Sequence, residues 1–179
     1  MALWIALFRG INVGGKNKLP MATLKEILHG IGCDNVQTYI QSGNALLESK
    51  TRSSRDLANR IEQAIQEATG IDTFVLLLKA KELKDALDAN PFPQADKDPK
   101  SIHFLFLAKN PKAPDLGRLD DLQGKTEKYQ LLNRVFYLFA PDGIARSKLA
   151  VKAESVLGVC ATGRNLNTVH KLVDMIDAG

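Results

Sequence analysis

The apolar positions of the first half predict a strand, a helix and then a hairpin. Residues 2–8 form a continuous apolar run, which is typical of a strand buried on both faces. Residues 36–41 alternate between apolar and polar, residues 41–44 have turn chemistry, and residues 45–48 read as the returning strand. Pro20 suits the first position of the intervening helix. Its apolar residues at helical spacing are Met21, Leu24, Ile27, Leu28 and Ile31.

A capped helix and a buried strand complete this half. Ser53 or Ser54 suits the N-cap of the helix, and Gly70 ends it. Residues 73–78 are apolar again and predict a strand. The resulting order, βαββαβ, is that of the ferredoxin-like split unit. The helix presents one apolar face, made of Leu57, Ile61, Ala64, Ile65 and Ala68.

The second half repeats much of this order. We expect a strand at residues 101–108, a helix near 114–122, two strands around Asn133 and Arg134, and helices over 147–157 and from Asn165. This is βαββα, with a helix where the last strand should be. We therefore predict an α+β fold of two related ferredoxin-like (βαββα-type) subdomains packed into one globule. The predicted boundaries are 1–79, a helix and Pro-rich linker at 80–100, and 101–179.

The predicted topology indicates where a site lies. In a βαββαβ unit the crossover is right-handed, and the first two strands are parallel with the third between them. The loop at residues 9–19 and the turn at residues 41–44 then fall at the same edge of the sheet. A glycine-rich basic loop facing a Gln-Ser-Gly-Asn turn is suited to binding a small ligand.

The opening loop contains most of a P-loop motif, with Gly10, Gly15 and Lys16 in the G-x-x-x-x-G-K pattern. It lacks the Ser or Thr that holds Mg²⁺, because Asn17 follows the lysine. The helix also starts too late for its amides to face a phosphate. A weaker interpretation remains, in which glycine amides form an anion nest and nearby cations add charge. The alternative is a flexible connection with solvated lysines.

Two later segments place cations beside helix starts. Arg146 and Lys148 lie where a cation does not complement the helix dipole, which favours either an anionic contact or a solvated basic turn. Arg164 precedes a helix that Asn165 would cap, so a phosphate or carboxylate could be held there. The alternative for this second segment is a plain cap with an exposed arginine.

Composition permits an anionic partner without requiring one. The chain has 179 residues and a net charge of +4, with a pI of about 9.1. The apolar run at residues 2–8 is too short for a signal peptide or a membrane span, so we expect a cytoplasmic protein without membrane contact. The two cysteines, Cys33 and Cys160, show no metal-binding spacing and are expected to be reduced thiols.

Several site classes lack the residues they need. His29 and Cys33 have i, i+4 spacing but no third ligand, so no metal site is expected. Strand 3 carries no stacking aromatics, which argues against an RNA-recognition sheet. Ser42 has no evident base nearby, and no G-x-S-x-G motif is present.

Four segments together resemble a widespread bacterial family of uncharacterised proteins, domain of unknown function 1697. They are ALFRGINVGGKNKLPMATLKEIL, VQTYIQSGNALLES, DGIARSKL and TGRNLNTVHKL. The resemblance implies an α+β fold of two related subdomains. It implies no established activity, so it assigns no catalytic residue and no cofactor. The family pattern often has Ala and Trp where this chain has Gly163 and Leu166.

These observations lead to one hypothesis, that the protein binds a phosphorylated or other anionic, nucleotide-like small ligand. The alternatives are a protein-interaction or self-association module without catalysis, and nucleic-acid binding. Whether the protein is an enzyme, and its oligomeric state, stay open. The predicted ligand-binding residues are Arg9, Gly10, Asn12, Gly14, Gly15, Lys16, Gln41, Ser42, Asn44, Arg146, Arg164 and Asn165.

Overall fold

The computed structural model describes residues 1–41, 43–92 and 97–179. The chain forms two compact units, which we call the N-terminal unit (Met1–Lys84 with Leu172–Gly179) and the C-terminal unit (Asp85–Lys171). The strands are β1 (Ala2–Arg9), β2 (Asp34–Tyr39), β3 (Asn44–Ser49), β4 (Phe74–Leu78), β5 (Ile102–Leu107), β6 (Lys128–Leu132), β7 (Val135–Phe139) and β8 (Ala161–Asn165). The helices are α1 (Met21–Gly30), α2 (Ser54–Thr69), α3 (Ala80–Asp88), α4 (Leu116–Leu122), α5 (Lys148–Leu157) and α6 (Leu166–Ala178).

The N-terminal unit has a four-stranded sheet in the order β2-β3-β1-β4. Neighbouring strands are antiparallel, so β1 and β2 are parallel with β3 between them, as the topology predicted. Trp4, Ala6 and Phe8 face a core that the apolar sides of α1 and α2 complete. Ile5 and Leu7 on the other face are also fully buried. The expectation that β1 is covered on both faces is therefore confirmed.

Local signals explain where the helices of this unit begin and end. The Ser53 hydroxyl accepts a hydrogen bond from the Asp56 amide at 3.2 Å and caps α2. Gly70 ends that helix in the left-handed conformation, with a φ of 72°. Helix α1 begins at Met21, and Pro20 occupies its N-cap. This start, well beyond Lys16, removes the helix amides from any P-loop role.

The C-terminal unit repeats the same sheet, in the order β6-β7-β5-β8. The predicted α+β fold of two similar ferredoxin-like subdomains is confirmed, but the prediction missed one element. Residues 161–165 form β8, antiparallel to β5, with Gly163 opposite Leu105 and Arg164 opposite Phe104. The strand was missed because Ala-Thr-Gly-Arg-Asn has weak strand propensity and no apolar alternation. The second half is thus a complete βαββαβ unit followed by α6.

The predicted linker at residues 91–99 lies partly outside the described residues, and the boundaries at 79 and 101 stay predictions. Within the described ranges, no helix combines the length and the apolar composition that crossing a bilayer requires.

Two tyrosines of the C-terminal unit should titrate late. The buried Tyr137 hydroxyl donates to the Ala86 carbonyl at 2.7 Å, and burial raises the pKa of Tyr137 to about 12. Burial, and then the hydrogen bond to Asp120, raise the pKa of Tyr129 to about 12. The stability that these protonated hydroxyls contribute is fully present below pH 10.0, the ordinary pKa of tyrosine. It is lost as the pH rises from there to about 12.

Ultraviolet absorbance of tyrosinate measures this directly. The signal of these two residues should develop only as the pH approaches 12, and Tyr129→Phe should remove half of that late signal. Ionisation of all three tyrosines of the chain by about pH 10 would contradict the prediction.

Candidate functional site

The glycine-rich opening loop is a small hairpin. The Lys16 amide donates to the Val13 carbonyl at 3.1 Å, and the Asn12 amide donates to the Asn17 carbonyl at 3.0 Å. Gly14 and Gly15, the two central residues of the turn, have φ values of 59° and 75°. A two-residue turn with both φ values positive is the type I′ geometry, which strongly favours glycine. The Gly-Gly pair is therefore required by the tight turn, and it leaves both residues exposed at the tip.

Asn12 organises this hairpin with its side chain. Its Nδ2 donates to the Leu19 carbonyl at 2.8 Å, and its Oδ1 accepts from the Leu19 amide at 2.8 Å. Asn17 adds one bond, from its Nδ2 to the Gly10 carbonyl at 2.8 Å. Both asparagines have left-handed backbones, at φ values of 53° and 50°, a conformation that Asn tolerates better than most residues. These side chains join the two ends of the loop.

The opening loop contacts the turn between β2 and β3, as the topology predicted. The Asn12 Nδ2 also donates to the Gln41 carbonyl at 2.8 Å. The Phe8 amide donates to the Gly43 carbonyl at 2.8 Å. Gly43 approaches so closely that an added Cβ would lie 2.8 Å from the Phe8 Cβ. We call residues 9–19 with Ile40, Gln41 and Gly43 the loop cluster; Ser42, a predicted site residue, lies outside the described residues.

Left-handed backbone is concentrated in the loop cluster. Ile40 is the least expected case, because a β-branched residue rarely adopts its φ of 49°. Such strain persists where the surrounding structure enforces it, often at functional sites. Ile40 and Val13 are also exposed, at 47% and 61%. The left-handed residues of the cluster are Gly10, Asn12, Gly14, Gly15, Asn17, Ile40 and Gly43.

The predicted polar residues of this region divide into supporting and exposed groups. Asn44 is fully buried at the start of β3, and its Nδ2 donates to the Tyr39 carbonyl at 3.1 Å. It therefore stabilises the hairpin turn, as Asn12 stabilises the loop. The side chains of Arg9, Lys16 and Gln41 belong to exposed residues. The Thr73 hydroxyl holds the backbone of Arg9 through its carbonyl, at 2.8 Å.

The remaining predicted residues lie in the C-terminal unit. Arg164, in β8, is half-buried and donates to the Gly163 carbonyl at 2.7 Å; burial lowers its pKa to about 10. The Asn165 Oδ1 accepts from the Thr168 amide at 3.0 Å, which caps α6 as the sequence predicted. Arg146 is exposed in the short 3₁₀ turn before α5. By strand register, Arg164 and Asn165 lie at the end of the second sheet where β5 begins, opposite Phe104 and His103.

Arg146 also lines a cavity of about 590 Å³ in the C-terminal unit. Its lining mixes cations, including Lys125 and Lys148, with the carboxylates of Asp121, Glu127 and Asp142. Thr126 donates to Asp142 at 2.6 Å, and the Gly124 amide donates to Glu127 at 2.7 Å. Sequence reasoning missed this lining, because residues 121–127 and 142–148 are brought together only by folding. The balanced charges do not select for an anion.

Comparison with known proteins identifies the family. A family model described as "Protein of unknown function (DUF1697)" matches residues 1–137. The chain belongs to this family. The matched range contains the whole loop cluster and ends before Arg146.

A solved structure from Streptococcus pneumoniae, described as conserved bacterial protein SP0830, has a similar fold. It superposes with a TM-score of 0.71 at 26% sequence identity and covers 97% of each chain. No curated protein matches the chain. The DUF1697 family is uncharacterised, so these comparisons establish the fold and the family of the chain and assign it no activity.

In this DUF1697 chain, His29 and Cys33, the pair with metal-ligand spacing, make a contact of a different kind. His29 Nδ1 lies 3.0 Å from the Cys33 carbonyl oxygen, and Cys33 is fully buried, which raises the pKa of its thiol. Among the described residues, no group of three His, Cys, Asp or Glu side chains is placed to hold a metal ion. The chemistry available at the loop cluster is therefore that of exposed amides and side-chain cations.

Proposed function

We propose that the loop cluster binds a phosphorylated or other anionic small ligand of nucleotide type. The observation that carries this proposal is the set of hydrogen bonds from Asn12 to Leu19 and Gln41, each 2.8 Å long. They hold the glycine hairpin against the neighbouring turn. A loop that is already ordered loses less conformational entropy on binding, which favours affinity.

Charge at the cluster has one sign. Arg9, Lys16 and Lys18 lie along an exposed loop that contains no Asp or Glu. The exposed Gly14 and Gly15 amides, at the tip of the turn, supply donors of the kind that bind phosphate oxygens. Gln41 supplies a further polar side chain from the adjoining turn. In this arrangement Arg9, Lys16 and Gln41 contact the ligand, while Asn12 and Asn44 position the backbone.

The exposed apolar side chains favour a ligand with more than a phosphate group. Val13 follows Asn12 and Ile40 precedes Gln41, and a hydrogen bond joins Asn12 to Gln41. A nucleoside phosphate would place its base against such apolar surface and its phosphate against the cations. A cytoplasmic location, where these ligands are abundant, is part of the same proposal.

Isothermal titration with inorganic phosphate, pyrophosphate and AMP tests the proposal. Arg9→Ala and Lys16→Ala should each weaken binding about tenfold, because an exposed charge-assisted contact contributes about 1.4 kcal/mol. AMP should bind more tightly than inorganic phosphate. The matched controls are Arg52→Ala and Lys50→Ala, exposed cations beyond the end of β3, where Ser49 pairs with Ala2 at the far end of the sheet. Both controls should leave binding unchanged.

The proposal fails if no probe binds, or if the controls lose as much affinity as the loop variants. The alternative, a partner or self-association surface, predicts a different result. In that case Val13→Ser would change the sedimentation of the protein while the phosphate probes stay without effect. Nucleic-acid binding would instead show affinity that falls steeply with salt.

A further inference from the structure

A second cavity lies in the N-terminal unit, at the end of the sheet remote from the loop cluster. Its volume is about 700 Å³, within the range of small-molecule sites. The floor is formed by β1, β2 and β3, and one wall by the C-terminal part of α6. Leu3 pairs with Glu48 in this floor, whereas the loop cluster follows Arg9. Leu3 and Arg9 are six positions apart along β1, which corresponds to about 20 Å.

Apolar side chains make up much of the lining. Leu3 and Leu46 contribute from the sheet, and Met175 and Ile176 contribute from α6. Leu3, Met175 and Ile176 are half-buried. This part of the sheet face, opposite to the face that carries Trp4, Ala6 and Phe8, is therefore only partly covered. A ligand with an apolar body would bury this surface, which is favourable in water.

Glu48 gives the cavity a negative charge. It is half-buried and lines the cavity beside Leu3, its partner across the strand pair. Among the described residues that line this cavity, there is no lysine or arginine. Within the described ranges, the Glu48 carboxylate has no hydrogen-bond or ion-pair partner. A carboxylate beside apolar surface is partly desolvated, so a cationic ligand group would be stabilised there.

His29 adds an acceptor at the rim. A carbonyl oxygen only accepts, so the His29 Nδ1, 3.0 Å from the Cys33 oxygen, carries the proton of the neutral ring. The Nε2 atom of that tautomer is then an acceptor. His29 lines the cavity together with Glu48 and Gln37. The Glu48 carboxylate and this ring nitrogen both accept hydrogen bonds, which suits a ligand that donates them.

We propose that this cavity binds a small organic amine, with a protonated ammonium group at Glu48 and an apolar body against Leu3, Leu46 and α6. The site is independent of the loop cluster: it lies at the other end of the sheet and prefers the opposite charge. Its ligand class is that of alkyl or arylalkyl amines, which combine one ammonium with a body that fits the cavity volume.

Isothermal titration of the whole protein with hexylamine, hexanol and hexanoate tests the charge preference. Hexylamine should bind, and the neutral and anionic chains of equal length should bind at least about tenfold more weakly. Equal affinity for hexanol or hexanoate, or no binding of hexylamine, would overturn the proposal.

Two variants place the amine in the cavity. Glu48→Gln keeps the shape and removes the charge, and it should weaken hexylamine binding about tenfold. Met175→Trp keeps Glu48 and fills the space, and it should also weaken binding, with circular dichroism confirming that each variant is folded. The matched control is Glu26→Gln, an exposed carboxylate of α1, which should bind as the unaltered protein does. Undiminished binding in folded Glu48→Gln or Met175→Trp, or equal loss in the control, would refute this location.

Discussion

Replacing Gly43 with alanine is expected to lower the free energy of unfolding by about 2–5 kcal/mol. Two costs add here. The φ of 88° is unfavourable for a residue with a Cβ, which costs about 1–2 kcal/mol. The new methyl group would also lie 2.8 Å from the Phe8 Cβ and 2.9 Å from two side-chain carbons of Ile11. Phe8 and Ile11 are buried and cannot move away freely, so overpacking adds about 1–3 kcal/mol.

Gly15→Ala is the matched control for this prediction. Its φ of 75° is also positive, but no atom lies within 4 Å of the position that its Cβ would take. It should cost only the conformational part, about 1–2 kcal/mol. Urea denaturation of both variants measures the difference. Equal losses would show that close approach to Phe8 and Ile11 is not what requires glycine at position 43.

The second large effect is expected for Asn12→Ala, which should lower the free energy of unfolding by about 2–4 kcal/mol. The substitution removes three side-chain hydrogen bonds, two to Leu19 and one to Gln41. It also leaves the amide of the buried Leu19 without its acceptor. The left-handed φ of 53° suits alanine less well than asparagine. The opening loop should then separate more readily from the β2–β3 turn.

Two variants divide this effect into its parts. Asn12→Gly keeps the favourable backbone and removes only the amide, so the difference between Asn12→Gly and Asn12→Ala reports the backbone cost. Asn17→Ala, at a similar φ of 50°, loses one hydrogen bond where Asn12→Ala loses three. It should cost about 1–2 kcal/mol. Urea denaturation gives the stabilities, and trypsin cleavage at Lys16 should accelerate most in Asn12→Ala. A smaller loss for Asn12→Ala than for Asn17→Ala would contradict this role.

The same substitution bears on the proposed function. Asn12 positions the hairpin without contacting the ligand, so Asn12→Ala should weaken AMP binding even though it removes no charge. Lys16→Ala should weaken binding while leaving stability nearly unchanged, because surface substitutions typically alter stability by less than about 0.5 kcal/mol. Measuring both properties in both variants separates a positioning residue from a contacting one.

Much of the fold could be predicted because its signals are local. Apolar periodicity marked both faces of β1 and the buried sides of α1 and α2, and Ser53 and Gly70 marked the ends of α2. Chain order then placed the opening loop beside the β2–β3 turn, and the bond from Asn12 to Gln41 confirms that contact. Both inferences rest on rules that relate neighbouring residues or successive elements, so they need no knowledge of distant contacts.

The roles of several site residues could not be predicted in this way. Asn12 and Asn44 were predicted as ligand-binding residues, and the structure shows that their amides bind the backbone carbonyls of Leu19, Gln41 and Tyr39. A sequence shows that an amide is available, but not which group it bonds. The sequence marks Glu48 only as a residue of a strand, because the α6 residues that line the same cavity are more than a hundred positions away along the chain.

The sequence by itself determined the two ferredoxin-like units, the left-handed turns that require glycine or asparagine, and the positive charge of the opening loop. Only the tertiary structure decided that residues 161–165 form a strand. Their own propensities are weak, and β8 exists because β5 offers an edge with which it can pair. Tertiary structure also decided which polar side chains support the backbone and which are left to meet a ligand. Those outcomes depend on hydrogen-bond partners and cavity walls that come from distant parts of the chain.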